Sequence, residues 1–175
     1  MERRKIGMIL ISVVILKSTV AFATLRVGSQ APAFSLKDEK GSIYSLELLK
    51  GKKVALVFYP KPNTSHCTKQ ACSLRDKFSE LKDAGITVLG ISKGTQATMR
   101  DFKDTHKLSF PLLQADDAVL EKYGTKGGAF HLFLPKRYTI LINEQGTIVA
   151  ILKNIEVDNH AEQILQEFTK NSKKK

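Results

Sequence analysis

The chain has 175 residues, 42% hydrophobic and 26% charged, with a formal charge of +11. That length and balance suit one domain with its own core and exclude an intrinsically disordered chain. The lysines are spread along the chain without interleaved aromatics or a recognisable binding motif, so they read as a solvated surface with no nucleic-acid partner.

The first predicted element stands outside the fold. Residues 1–23, MERRKIGMILISVVILKSTVAFA, begin with Arg3, Arg4 and Lys5, run apolar to Leu16, and end on Ala21-Phe22-Ala23, a small-x-small cleavage signal. An apolar run that stops at Lys17 is short for a bilayer span. The expectation is a signal peptide over 1–23, export to a bacterial periplasm, a mature chain from Thr24, and no stable membrane insertion after cleavage. An uncleaved membrane-anchoring N-terminus is the alternative. Cleavage lowers the formal charge to about +8, part of it in the basic tail 171–175. Export also places the cysteines where thiol pairs tend to be oxidised.

In the mature part, AFSL and IYSL flank a polar DEKGS turn within 26–49, which predicts a short hairpin. Residues 54–59 are an uninterrupted apolar run, the pattern of a strand buried on both faces. One helix is predicted over 65–84, with Cys67, Ala71, Leu74, Phe78 and Leu81 on a stripe and Gly85 as the stop. ITVLGIS (86–92) reads as a second buried strand, followed by a helix over 95–106 and a short strand over 110–113. Asp116 or Asp117 caps a short helix ending at Gly124. Residues 125–136 read as irregular, with Phe130, Leu132 and Phe133 filling the core, lining a pocket or meeting a partner. RYTILIN and TIVAILK flank Glu144-Gln145-Gly146 as a β-hairpin, and Asp158 starts a last amphipathic helix carrying Ala161, Ile164, Leu165 and Phe168. The order predicts one α/β domain over 24–175, its core about 26–170, with a mixed sheet flanked by helices on both faces.

Both cysteines lie in YPKPNTSHCTKQAC, residues 59–72, where a strand hands over to a helix. Cys67 falls in the first turn of the predicted helix, where amides lack intrahelical partners and the dipole is positive. Both effects favour a thiolate, the nucleophilic form. Cys72 is about 140° further round, and its Cα lies about 8.6 Å away in an intact helix. A disulfide needs roughly 4.4–6.8 Å, so the pair can join only after the helix unwinds. Inert core cysteines are one alternative. A metal site drawing on His66, His106, His131 or His160 is another, but C-x4-C beside a histidine matches no usual zinc spacing. The C-x-x-C of dithiol oxidoreductases is absent, as is a cysteine-protease signature. Peroxide reduction by a thiolate, through a sulfenic acid that a second thiol condenses with, remains.

The run P-x-x-x-T-x-x-C, here Pro60, Thr64 and Cys67, with a second cysteine at Cys72, resembles the peroxiredoxin active-site motif, in its bacterioferritin-comigratory-protein and PrxQ branch. The similarity runs from GSQAPAFSL through LKGKKVALVFYPK to RYTILINEQGTI. It implies a thioredoxin-like fold with an N-terminal β-hairpin extension. Cys67 is then the peroxidatic and Cys72 the resolving cysteine, with an intrachain disulfide recycled by a thioredoxin-like reductant protein. Arg137, in R-x-T, matches the family's active-site arginine, stabilising the thiolate and the charge that develops during attack. Pro60 shields the sulfur. Thr64 bonds the peroxide, caps the helix near Cys67, or does both.

The resemblance implies a thiol peroxidase acting on hydrogen peroxide and organic hydroperoxides, with no metal, flavin or haem cofactor, working as a monomer. Pro62, Ser65-His66 and Gln70 depart from the family's K-D-x-T-x-G-C-T-x-E and bear on access, rate and pH dependence. Gln70 in particular removes a carboxylate from the active-site helix. A thiol–disulfide exchange or redox-sensing protein on the same fold is the first alternative reading. A non-enzymatic extracellular binding module is the second.

Overall fold

A computed structural model describes residues 25–128 and 134–172. The expected signal segment 1–23, Phe130, Leu132 and Phe133 of the apolar loop, and the lysines 173–175 lie outside the described residues.

The first two strands, β1 (Ser35–Lys37) and β2 (Ile43–Ser45), pair antiparallel as the expected hairpin, and a 3-10 turn over Glu47–Leu49 follows. Then come β3 (Lys53–Phe58), α1 (Ser65–Asp76), α2 (Phe78–Asp83), β4 (Ile86–Ser92), α3 (Gln96–His106), β5 (Leu112–Gln114) and α4 (Asp117–Lys122). The chain ends with β6 (Tyr138–Ile142), β7 (Ile148–Leu152) and α5 (His160–Ser172). Five strands form one mixed sheet in the order β5-β4-β3-β6-β7, with β3 parallel to β4 and antiparallel to β6.

The apolar run that predicted β3 divides between two cores. Ala55, Val57 and Tyr59 face one side with Cys67, Leu74, Leu81, Met99, Phe102, Ile164 and Phe168, so α1, α2, α3 and α5 cover that face. Val54, Leu56 and Phe58 face the other side with Phe34, Leu36, Val119, Leu120 and Tyr123 from the hairpin and α4. Each side chain of a central strand is thereby removed from water. The hairpin is tied down by Glu39, whose carboxylate accepts from Lys103 Nζ at 2.6 Å and from the Leu112 amide at 3.0 Å. Among the described residues no helix is long and apolar enough to cross a membrane.

Two expected boundaries move. The helix over 65–84 is two helices, because Lys77 leaves helical geometry (φ −108°, ψ 18°) between α1 and α2. Leu74 and Leu81 are both buried across this break, so the apolar stripe continues and periodicity alone does not register a one-residue interruption. The strand expected over 110–113 begins at Leu112. Pro111 has no amide hydrogen and only accepts, from the Gly90 amide at 3.0 Å, so ladder pairing starts one residue later.

Candidate active site

The topology places the functional side chains before any of them makes a contact. Phe58 at the end of β3 pairs with Tyr138 at the start of β6, so Arg137 enters the sheet beside the point where the chain leaves for α1. The intervening loop is set by three local contacts. Ser92 Oγ donates to the Pro60 carbonyl at 3.3 Å, Asn63 adopts left-handed geometry (φ 59°), and Asn63 Nδ2 donates to Asp101 Oδ2 at 2.9 Å. Asparagine tolerates that backbone better than other residues with a Cβ.

Cys67 is the third residue of α1 and only 2% exposed. Its backbone amide belongs to the unpaired first turn, at the positive end of the helix dipole. Arg137 Nη2 donates to Cys67 Sγ at 3.2 Å, and Arg137 Nη1 donates to Gln70 Oε1. The planar fork of the guanidinium therefore spans one turn of α1, holding the sulfur with one prong and the helix with the other. Arg137, which the resemblance gave as the active-site arginine, is half-buried and aimed at the thiol.

Behind the sulfur lies a cavity of about 10 Å3, walled by Val57, Tyr59, Ala71, Leu74, Phe102 and Phe110. A space of that size holds about one water, so a peroxide does not enter from the core side. The remaining approach passes over Thr64, Ser65 and His66, all exposed at the first turn of α1. Tyr59, on the cavity wall, has a hydroxyl that is buried and without a hydrogen-bond partner among the described residues. Burial first, then the nearby Cys67 and Glu39, push its ionisation well up, so it stays protonated.

The five residues singled out in the sequence divide as follows. Cys67 and Arg137 are in contact, and Pro60 lies half-buried in the loop two residues after β3. Thr64 occupies the N-cap position of α1 in extended geometry, but its hydroxyl donates to the Lys61 carbonyl at 3.1 Å. The side-chain capping bond expected as an alternative is not made, although the hydroxyl oxygen keeps the lone pairs such a bond would use. Cys72 is half-buried five residues on, within the same unbroken helix, and both cysteines are free thiols.

Sequence reasoning missed three participants. Gln70 appeared there only as the loss of a carboxylate, yet it is buried and bonds Arg137. Its Nε2 lies 3.2 Å from His160 Nδ1, and His160 Nε2 lies 3.0 Å from Thr139 Oγ1. Gln70 sits one turn from Cys67, a spacing that offered a signal. His160 and Thr139 offered none, since burial at the start of α5 is a tertiary fact. Burial, and secondly the charge of Arg137, lower His160 to about 3, so the imidazole is neutral.

Residues 27–151 match the AhpC/TSA family. The chain is 41% identical over 148 residues to the putative peroxiredoxin bcp of Coxiella burnetii, a match covering 81% of this chain and 97% of that one. It is 35% identical over 153 residues to the chloroplastic peroxiredoxin Q of Sedum lineare, covering 86% and 82%. Among solved structures, peroxidoxin BcpB of Mycobacterium tuberculosis superposes with a TM-score of 0.75 at 28% identity, covering 84% of this chain and 98% of that one. The fold is thus the thioredoxin-like one that the motif resemblance implied.

Proposed function

The chain belongs to the AhpC/TSA family, and from that premise we propose that it is a thiol peroxidase working through Cys67 and Cys72. The observation that carries the reading is Arg137 Nη2 at 3.2 Å from a sulfur in the first turn of a helix. A guanidinium is aimed there, at the positive end of a helix, on the atom that must be anionic to attack.

In the first step the Cys67 thiolate attacks one oxygen of ROOH. An S–O bond forms as the O–O bond breaks. Sulfur is oxidised by two electrons to sulfenic acid, and the leaving alkoxide or hydroxide takes up a proton as ROH or water. Arg137 faces the charge as it spreads from sulfur onto oxygen. In the second step the Cys72 sulfur displaces water from the sulfenic acid, and an S67–S72 disulfide forms. A dithiol protein of thioredoxin type then reduces it by exchange, passing through a mixed disulfide. The small cavity on the core side and the open first turn of α1 both support attack from the surface, where hydrogen peroxide or an organic hydroperoxide reaches Cys67.

The reading extends to location and assembly. The 1–23 segment, with Arg3, Arg4 and Lys5 before an apolar run and Ala21-Phe22-Ala23 after it, supports export with cleavage and a periplasmic site of action. The protein works there as a monomer. N-terminal sequencing of the secreted form, expected to begin at Thr24, tests the first point; sedimentation tests the second.

The decisive assay treats reduced protein with one equivalent of peroxide and weighs it. Loss of two hydrogens, mapped to a 67–72 linkage, and steady peroxide consumption with a dithiol reductant are expected. Cys67→Ser abolishes both. A protein that forms the disulfide but does not turn over is a redox sensor, and that result overturns the peroxidase reading.

A further inference from the structure

Arg137, Gln70, His160 and Thr139 make a chain in which each atom's role is forced. A guanidinium only donates, so the Gln70 atom that Arg137 Nη1 meets is the amide oxygen. The amide nitrogen must then point to His160 Nδ1, 3.2 Å away. An amide nitrogen also only donates, so Nδ1 accepts and the imidazole proton sits on Nε2, which donates to Thr139 Oγ1 at 3.0 Å. The donors therefore run one way from Arg137 to Thr139. Gln70 is 1% exposed, and His160 and Thr139 are fully buried, so solvent does not compete for these bonds.

A flip of the Gln70 amide would aim an NH2 group at the guanidinium, donor against donor. What forbids the flip is the bare Nδ1 of His160, and Thr139 Oγ1 supplies the acceptor that the buried proton on the other ring nitrogen needs. A protonated His160, or the opposite tautomer, would remove the acceptor that Gln70 needs. Among the described residues, Arg137 ahead of β6 is the charge that acts on His160, and Cys67 on α1 is the titratable group Arg137 holds. Among the described residues the side chains that Arg137 bonds are Gln70 and Cys67, and neither is a carboxylate.

We propose that Gln70, His160 and Thr139 are positioning residues, an uncharged relay that fixes the polarity of the Gln70 amide and so holds the Arg137 fork on Cys67. The relay orients the guanidinium without neutralising it, which leaves the thiolate as its anionic partner. The inference deepens the peroxidase reading and rests on it only for its catalytic consequence, because the geometry stands without peroxide.

Two measurements on the reduced full chain test it. Imidazole 15N spectra of the wild type at pH 7 are expected to show His160 protonated on Nε2 alone. Iodoacetamide alkylation, read in a Cys72→Ser background across pH, then reports on the Cys67 thiolate. Gln70→Met is expected to slow alkylation by about tenfold, the loss of one hydrogen bond to a charged group. Thr139→Val, which keeps shape and removes the hydroxyl, slows it by about threefold, and Thr139→Ser restores most of the rate. His160 protonated on Nδ1, or alkylation profiles of Gln70→Met and Thr139→Val within twofold of the parent, overturns the relay. If a variant does not fold, the wild-type spectrum decides. Wild-type protein that passes both tests yet fails to consume peroxide sinks the proposed function and leaves the relay intact.

Discussion

Arg137 Nη2 and Cys67 Sγ lie 3.2 Å apart across 70 positions of sequence. The antiparallel pairing of β3 with β6 makes that contact, because it returns the chain to the place where it left for α1. Neither residue's local sequence contains the other. The site is a property of the sheet.

The contact predicts how substitutions at Arg137 divide. Arg137→Lys keeps a positive charge but cannot bond Cys67 and Gln70 at once, since an ammonium lacks the planar fork. The second-order rate constant for sulfenic acid formation is expected to fall on the order of 100-fold in Arg137→Met, and by less in Arg137→Lys. Stopped-flow fluorescence or competition kinetics reads this directly. A wild-type rate in Arg137→Lys would mean that the fork geometry is irrelevant.

How far the sequence carried depends on whether a feature was local. The buried strands β3 and β4 announce themselves as apolar runs, and the β6–β7 hairpin by its turn, so the mixed sheet follows. The placement of Cys67 is local in the same sense, set by the end of β3 and the start of α1. The Lys77 break was invisible because Leu74 and Leu81 stay on one stripe across it. The Thr64 cap was one of two expected roles, and it is not made because a cap and a loop bond suit the same residue type and only the three-dimensional surroundings decide between them. His160 was visible only as a possible ligand, since its partners Gln70 and Thr139 come from α1 and β6.

Close packing beside the site gives a second prediction. A Cβ at position 90 would lie 2.7 Å from Leu112 Cδ2 and 3.4 Å from both Phe110 and Tyr59. Gly90 is in a central strand, so backbone adjustment is limited, and all three of these neighbours wall the cavity behind Cys67. Gly90→Ala is expected to cost about 1–3 kcal/mol in urea unfolding through overpacking. A stability within 0.5 kcal/mol of wild type, about the scatter of a neutral change, would show that the strands yield.

The buried imidazole predicts a pH dependence of stability. His160 titrates at about 3 in the folded chain, against an ordinary value of 6.5. The unfolded state thus takes the proton first as pH falls. Stability is full above pH 6.5 and declines toward pH 3. Glu39 is pushed up by burial, but Lys103 and the Leu112 amide outweigh this and hold its carboxyl below the usual value. Its contribution is present above the ordinary value of 4.5 and is lost only as pH falls through and below it, so the window from pH 6.5 to 5 reports on His160. The wild type is expected to lose about 1.5 kcal/mol across that window by chemical denaturation. His160→Leu, although less stable overall, is expected to show a much shallower slope there. An unchanged slope would assign the dependence to other groups.

The last prediction follows from the helix that holds both thiols. Cys67 and Cys72 share α1 without a break, so their Cα atoms stand about 8.6 Å apart, beyond the roughly 4.4–6.8 Å that a disulfide spans. Forming the 67–72 bond must therefore unwind the first turns of α1. That movement carries Gln70 away from Arg137 and His160, and it exposes Cys67, now buried. The loop at 60–64, held by the Asn63–Asp101 contact, is where the unwound segment gains its freedom. Hydrogen exchange is expected to show amides 65–72 losing protection after one equivalent of peroxide, with β3 and the later turns of α5 unchanged. Cys72→Ser, which forms the sulfenic acid but not the bond, is expected to keep its protection. If the linkage is verified by mass and residues 65–72 remain as protected as in the reduced chain, the helix has tolerated the bond and the need for unwinding is refuted.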